Sequence, residues 1–173
     1  MSDLHNTTVR LARLADAAAI TTIYNQGIEE RNATFETEPR TVAQINAQLT
    51  DKGEHYPTVV VERDGQVVAW ASAGLYRSRP CYAGIAEHSV YVERRARGTG
   101  AGHVALEHLC HLYTDLGFWK LVSRIFPENT ASLALHERCG FRVVGVYRRH
   151  GKLEGAWRDC VIVERMLDET DPA

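Results

Sequence analysis

The feature that most limits how this chain can fold is Arg97-Gly98-Thr99-Gly100-Ala101-Gly102, where three glycines alternate between the runs "AEHSVYV" and "HVALEHLCHLYTDLGF". The first run alternates as a strand does. In the second, Ala105, Leu109, Leu112 and Leu116 recur at helical spacing. A turn needs one glycine or two; three at alternate positions point to another group approaching the backbone closely. The first amides of a helix have no partner within it and carry partial positive charge, so a phosphate or diphosphate fits there. Arg97, with Arg94 and Arg95 upstream, adds full charges. A bare turn with spare glycines remains the plain alternative. A Rossmann dinucleotide loop does not suit, because the spacing is wrong, the motif lies mid-chain, and the strands before it read as a hairpin.

That hairpin is the clearest local signal. In "PTVVVERDGQVVAWASAGLY" two β-rich runs flank Asp64-Gly65, the dipeptide of a type I′ turn. Upstream, residues 8–13 alternate as a first strand. Asp16 is placed to cap a helix carrying Ile20, Ile23 and Tyr24, and Thr41 to cap a second one reaching about Leu49. Downstream, "FWKLVSRIF" reads as a strand and "ENTASLALHERCGF" as a short helix, capped by Asn129 or Thr130 and stopped at Gly140. The last segment reads as two strands around a glycine-containing connection. The order β-α-α-β-β-β, then alternating elements and a hairpin, predicts an α+β chain with a mixed sheet.

At 173 residues and 45% hydrophobic, the chain suits one domain, residues 1–173, with its core at about 8–167 and a short C-terminal tail. A net charge of −2 with no long basic run gives no sign of nucleic-acid binding. No stretch reads as a signal peptide or a membrane span. Cys81, Cys110, Cys139 and Cys160 are far apart and form no CxxC pair, which suits reduced thiols and a cytoplasmic protein. His103, Glu107 and His111 share a helix face, but two helical turns are too long for three ligands to meet one ion, so no metal is expected.

Arg97, Gly100 and Gly102 also satisfy [Arg/Gln]-x-x-Gly-x-[Gly/Ala], the pattern of a coenzyme A diphosphate loop. Together with "N-x-x-S-x-x-L-H-x-x-x-G-F" from Asn129 to Phe141, it makes the chain resemble the GCN5-related N-acetyltransferase (GNAT) superfamily. Within it, "IYNQGIEERNATFETEPRT", "YRSRPCY", "AEHSVYV", "LHERCGF" and "HGKLEGAWRD" resemble the phosphinothricin and methionine sulfoximine acetyltransferase group, and relatives that acetylate arsinothricin. The resemblance implies the GNAT fold, a mixed central sheet with helices on both faces. It also implies transfer of an acetyl group from acetyl-CoA to the α-amino group of a glutamate-like amino acid, resistance to such compounds, and a homodimer.

The resemblance implies site residues too. The amides of Gly98, Thr99, Gly100, Ala101, Gly102 and His103, beside Arg97, would hold the diphosphate. Val90, Tyr91 and Val92 would pair with the pantetheine arm, with Tyr91 or Val92 also donating to the oxyanion, and Asn129 would reach the cofactor. Glu87 would be the general base and His136 the general acid or a substrate contact. Phe35, Arg77, Arg79 and Ser89 would bind substrate beside Glu87, the arginines suiting an acidic head. Each has a plain counterpart: a solvated carboxylate for Glu87, a structural histidine for His136, a helix cap for Asn129, core for Phe35, surface charge for the arginines. A GNAT enzyme for another amine or for protein N-termini, a non-catalytic acyl-CoA-binding module, and a structural domain are the rivals.

Overall fold

The computed structural model describes residues 6–168. In chain order it contains β1 (Thr7–Leu11), α1 (Ala17–Glu29), α2 (Val42–Lys52), β2 (Val59–Arg63), β3 (Gln66–Leu75), β4 (Ile85–Val92), α3 (Ala101–Asp115), β5 (Lys120–Ile125), α4 (Thr130–Arg138), β6 (Arg142–Leu153) and β7 (Ala156–Met166). The strands form a single sheet in the order β1-β2-β3-β4-β5-β7-β6. Every neighbouring pair is antiparallel except β4 and β5, which are parallel. This is the expected α+β architecture with a mixed sheet. The distal part of the expected tail, residues 169–173, lies outside the described residues.

Alternation along β2 and β3 divides the core between two faces. Val59, Val61, Ala69, Ala71 and Ala73 are buried with Ala105, Leu106 and Leu109 of α3. Val60 and Trp70 are buried on the other face with Ile20 and Ile23 of α1 and Ile45 of α2. Helices therefore cover both faces, and the unbroken apolar run at the start of β2 is what a strand buried on two sides requires. Each fully buried Val, Leu or Ile contributes about 1.5–3 kcal/mol.

The turn and cap signals act largely where they were expected. Asp64 and Gly65 both have positive φ, 51° and 77°, as a type I′ turn needs. The Thr41 hydroxyl accepts from the Gln44 amide at 3.2 Å, and the Gln44 side chain accepts from the Thr41 amide at 2.9 Å, closing a capping box. Asp16 differs. It precedes α1, but its carboxylate accepts from the Arg10 guanidinium at 2.7 and 2.9 Å and from the Arg13 amide at 2.7 Å, so it caps no α1 amide. A bidentate charged donor outcompetes a helix amide for the same oxygens. The first strand stops at Leu11, short of residue 13, and α2 runs three residues past Leu49, to Lys52. The stripe on α3 is wider and shorter than its spacing predicts: Cys110 and Tyr113 join it, while Leu116 is exposed beyond the helix end. Among the described residues no helix is long and apolar enough to cross a membrane.

One irregularity positions everything that follows. β4 pairs with β3 from Leu75↔Ala86 to Ala69↔Val92, all of β4 but its first residue. It pairs with β5 only at Ile85↔Lys120, Ala86↔Leu121 and Glu87↔Val122. Beyond Glu87 the two strands part, and the sheet opens into a fork.

Candidate active site

The fork exposes main chain, and strand parity decides which groups. The Glu93 amide donates to the Val68 carbonyl at 2.8 Å, so Glu93 turns its polar groups toward β3. With β3 and β4 in unbroken register, Tyr91 and Ser89 do the same, and Val90 and Val92 turn toward the gap. The Ser123 hydroxyl, which donates to the His88 carbonyl at 3.0 Å, confirms the parity from the β5 side. The expectation that the Tyr91 amide might serve an oxyanion is therefore corrected: that N–H belongs to the β3 ladder, and Val90 and Val92 hold the free donors. The Tyr91 side chain instead packs on the α1 face, stacked on Trp70 at 4.9 Å and edge-on to Tyr24 at 5.0 Å.

At the open end of the fork the chain enters the glycine loop. Gly98 and Gly100 have φ of 73° and 88°, and a Cβ on either would meet nothing within 4 Å, so they serve the turn and leave its outer side open. Gly102 has another reason. A Cβ there would stand 3.1 Å from Val92 Cγ2 and 3.2 Å from Leu135 Cδ2, so its bareness lets α3 close on β4 and α4. No side chain caps Gly100, and the first bond of α3 is Val104 N–H to Gly100 O at 3.1 Å. The amides of Ala101, Gly102 and His103 precede it and have no partner within the helix. The Arg97 guanidinium is held by Glu30 at 2.8 Å, and Arg94 reaches the same carboxylate at 2.9 Å. Arg63, at the end of β2, donates to the Thr99 carbonyl at 2.8 Å and to its hydroxyl.

Across β4 lies a cavity of about 530 Å³ lined by Phe35, Glu87, Ser89, Arg124 and Phe126, among others. A second, of about 440 Å³, shares Tyr24, Glu36, Glu87, Ser89, Tyr91 and Arg124 with it and extends toward α2. Three expected substrate-side residues thus meet: Phe35, Glu87 and Ser89. Phe35 stands edge-on to Phe126 at 4.9 Å and packs against the bare Gly151, where a Cβ would come within 2.7 Å of its ring. Glu87 Oε1 accepts twice from the Arg124 guanidinium, at 2.6 and 2.8 Å, and Oε2 takes part in neither bond. Arg77 and Arg79 are not brought in. Both are exposed on the loop after β3, with the Arg77 guanidinium 5.2 Å from the Tyr76 ring centre. The loop is anchored beside Glu87, but its arginines line neither cavity.

A small cleft of about 40 Å³ between the fork arms is lined by Val90, Ser123, Asn129, Ser132 and His136, among others. Asn129 caps α4, its Oδ1 accepting from the Ser132 amide at 3.2 Å, which leaves its Nδ2 donors out of the cap. His136 is buried, with Nδ1 2.7 Å from the Ser132 carbonyl and Nε2 2.9 Å from Nε2 of buried His88. A carbonyl only accepts, so His136 carries its proton on Nδ1 and its Nε2 accepts from a proton on His88 Nε2. His88 Nδ1 is buried without a hydrogen-bond partner. Burial pushes both imidazoles below their ordinary range, and for His88 a charge on His136 would push it lower still. A direct general-acid role for His136 is corrected on this geometry: with both ring nitrogens engaged, no N–H remains for a leaving group.

The helix-face trio behaves as a surface. Glu107 pairs with Arg165 at 2.8 Å, His103 Nδ1 lies 3.4 Å from Cys139 Sγ, and His111 is exposed. Trp157, half exposed, lies under the Lys152 ammonium at 4.7 Å, and Asp159 accepts from the Arg149 amide at 2.7 Å, so both shape the β6–β7 ribbon. Sequence reasoning missed Arg63, Arg124, His88 and Lys52. A cation interrupting the apolar strand "KLVSRIF" was a usable signal for Arg124; Arg63 and Lys52 reach the site only through the fold.

The acetyltransferase (GNAT) family model matches residues 20–141. The chain is 37% identical to a phosphinothricin N-acetyltransferase of Alcaligenes faecalis, covering 95% of this chain and 84% of that one. It is 35% identical to an L-methionine sulfoximine/L-methionine sulfone acetyltransferase of Salmonella typhimurium, covering 94% and 95%. Its fold superposes on a phosphinothricin acetyltransferase of Sinorhizobium meliloti solved in complex with acetyl-CoA, with a TM-score of 0.88 and 34% identity over 96% of this chain and 93% of that one.

Proposed function

This chain belongs to the acetyltransferase (GNAT) family and is an acetyl-CoA-dependent N-acetyltransferase; we propose that its acceptor is the α-amino group of a glutamate-like amino acid such as phosphinothricin, methionine sulfoximine or arsinothricin. The observation that carries the reading is the fork. The gap-facing amides of Val90 and Val92 lie on one side of it, the Val92 carbonyl accepting from Arg97 Nε at 3.4 Å, and the Glu87 cavity opens beside the same strand. The residues fit the cosubstrate: the loop is open where a diphosphate would lie, and unpartnered amides stand behind it.

Acetyl-CoA supplies an acyl thioester, already activated toward an amine. The chain's own task is to hold it and deliver a neutral nitrogen. The amides of residues 98–103 grip the diphosphate, the gap-facing groups of Val90 and Val92 align the pantetheine arm, and Asn129 adds a side-chain donor. An α-ammonium has a pKa of about 8, so a proton must leave before attack. Glu87 takes it through Oε2, directly or by way of a water, while Arg124 keeps Oε1 and fixes the carboxylate. The gap-facing amides would receive the negative charge that develops on the acyl oxygen. A thiolate leaves tolerably without strong acid help, which suits a site whose histidines are otherwise engaged.

Acetylation removes the ammonium charge. A compound that needs that charge to bind its target is inactivated, so the host gains resistance. The exposed apolar residues Val143, Val146, Tyr147 and Trp157 on β6 and β7 support a homodimer. The test is kcat/KM for phosphinothricin, methionine sulfoximine, arsinothricin and spermine at fixed acetyl-CoA, read as released thiol. Turnover of the amino acids is expected; acetylation of spermine and of none of them overturns the reading.

A further inference from the structure

Lys52 is the last residue of α2, and its side chain reaches back over β3. Its ammonium donates to the Ser72 hydroxyl at 2.6 Å and to the Ala73 carbonyl at 2.9 Å. Among the described residues it forms no ion pair, whereas Arg10, Arg31, Arg40, Arg94, Arg97, Arg124 and Arg165 each have a carboxylate. Two neutral acceptors leave one of its three N–H groups over. A largely buried ammonium without a counter-charge is costly, and burial alone pushes its pKa from 10.5 down to about 8.

Its position gives that cost a use. A Cβ on Gly74 would stand 4.0 Å from Lys52 Nζ, and Gly74 is the direct cross-strand partner of Glu87. Cross-strand Cβ positions are about 4.5–5.5 Å apart, so the ammonium stands one strand over from the carboxylate that meets the amine. Both line the 440 Å³ cavity, as do Ser72 and Trp70. The indole N–H of Trp70 is buried there without a partner, a second unmatched donor in the same wall. In an amino acid the carboxylate is attached to the carbon that carries the amine. An amine at Glu87 therefore sets its carboxylate within a short step, and the cavity wall offers donors and an unpaired cation to receive it.

Resting on the amino-acid reading above, we infer that Lys52 is a substrate-binding residue whose ammonium receives the α-carboxylate of the acceptor, supplying the cation that Arg77 and Arg79 do not bring to the cavity. It makes an α-amino acid, rather than any small amine, the fitting acceptor.

The test compares wild type, Lys52→Met and Lys52→Arg on L-methionine sulfoximine, whose only anionic group is the α-carboxylate, and on its methyl ester. Calorimetry with acetyl-CoA and the melting temperature report folding. Lys52→Met is expected to raise KM for the acid at least tenfold, with kcat within about threefold and acetyl-CoA affinity unchanged. The wild-type preference for acid over ester should collapse in Lys52→Met and persist in Lys52→Arg. An unchanged KM, or an equal loss on acid and ester, overturns the assignment. A penalty seen with phosphinothricin alone also overturns it, because the ammonium would then serve the acid head. If Lys52→Met does not fold, wild type and Lys52→Arg decide: absence of acid-over-ester preference in either overturns it. Wild type that binds acetyl-CoA but turns over neither compound sinks the amino-acid reading together with Lys52; wild-type turnover with an indifferent Lys52→Met sinks Lys52 alone.

Discussion

The groups proposed for the cosubstrate are main-chain amides, at Val90, Val92 and the first turn of α3; those proposed for the acceptor are side chains, Phe35, Lys52, Glu87 and Arg124, brought from four separate parts of the chain. The first half needs only a strand that loses its neighbour and a loop that can turn sharply. Its chemistry is uniform because every residue carries an amide. The second half must distinguish one amine from another, so it spends charged groups and holds them with specific bonds such as Arg124 to Glu87. The division predicts that damage to one set leaves binding by the other set intact.

Glu87→Gln gives the largest effect. It keeps the shape but removes the proton acceptor, so kcat/KM for the amino acid should fall about 100-fold or more. Acetyl-CoA affinity by calorimetry should stay within about twofold. Equal losses in turnover and in acetyl-CoA binding would break the division, because the two halves would then be one.

Gly102→Val is the complementary lesion and comes second. Its branched side chain would meet Val92 and Leu135, both half-buried, starting from a Cβ already at 3.1 and 3.2 Å. Overpacking of this kind costs about 1–3 kcal/mol, and it should push α3 off the fork. KM for acetyl-CoA should rise about tenfold while KM for the acceptor stays put. Arg63→Ala is milder: losing the bonds to Thr99 should raise KM for acetyl-CoA about threefold, read by initial rates, with no change for the acceptor.

The same difference explains which parts the sequence makes legible. The loop, the strand ahead of it and the helix after it are contiguous, so glycine spacing and hydrophobic period are enough to reveal them. The hairpin at Asp64-Gly65 is legible for the same reason. Lys52 was out of reach, because α2 had to run past Leu49 before its ammonium could lie over Ser72. Arg77 and Arg79 differ in the opposite way: their side chains suit an anion, but both are exposed and line neither cavity. Asp16 shows the limit of local rules, since the better donor, Arg10, comes from a neighbouring strand. The Tyr91 amide failed as a donor for a reason only register could supply, the parity fixed by Glu93 and Val68.

The smallest expected effect lies at the seam between the halves, under β4, and concerns stability rather than turnover. Burial lowers both His88 and His136 from their ordinary pKa of 6.5, and His136 lowers His88 further. In the unfolded chain each imidazole takes up a proton as pH falls through about 6.5, while in the folded chain each does so only at lower pH. The unfolded state therefore binds more protons, and stability must fall with pH from about 6.5 downward, until the folded pair itself begins to titrate. The carboxylates that ion pairs hold low, Asp16 and Glu164 among them, begin to contribute only nearer pH 4, so the window from pH 7 to 5 isolates the histidines. His88→Gln keeps a donor for His136 Nε2 and removes one titrating ring. Across that window the wild-type melting temperature should drop by several degrees, at about 2–4 °C per kcal/mol for a chain of this size, and the drop should shrink in His88→Gln. Acetyl-CoA and acceptor KM at pH 7.5 should be nearly unchanged, because the glutamine leaves the fork standing. A variant with the same acid sensitivity as wild type would mean that the His88 ring takes up its proton over the same pH range folded as unfolded, and that burial does not hold it neutral.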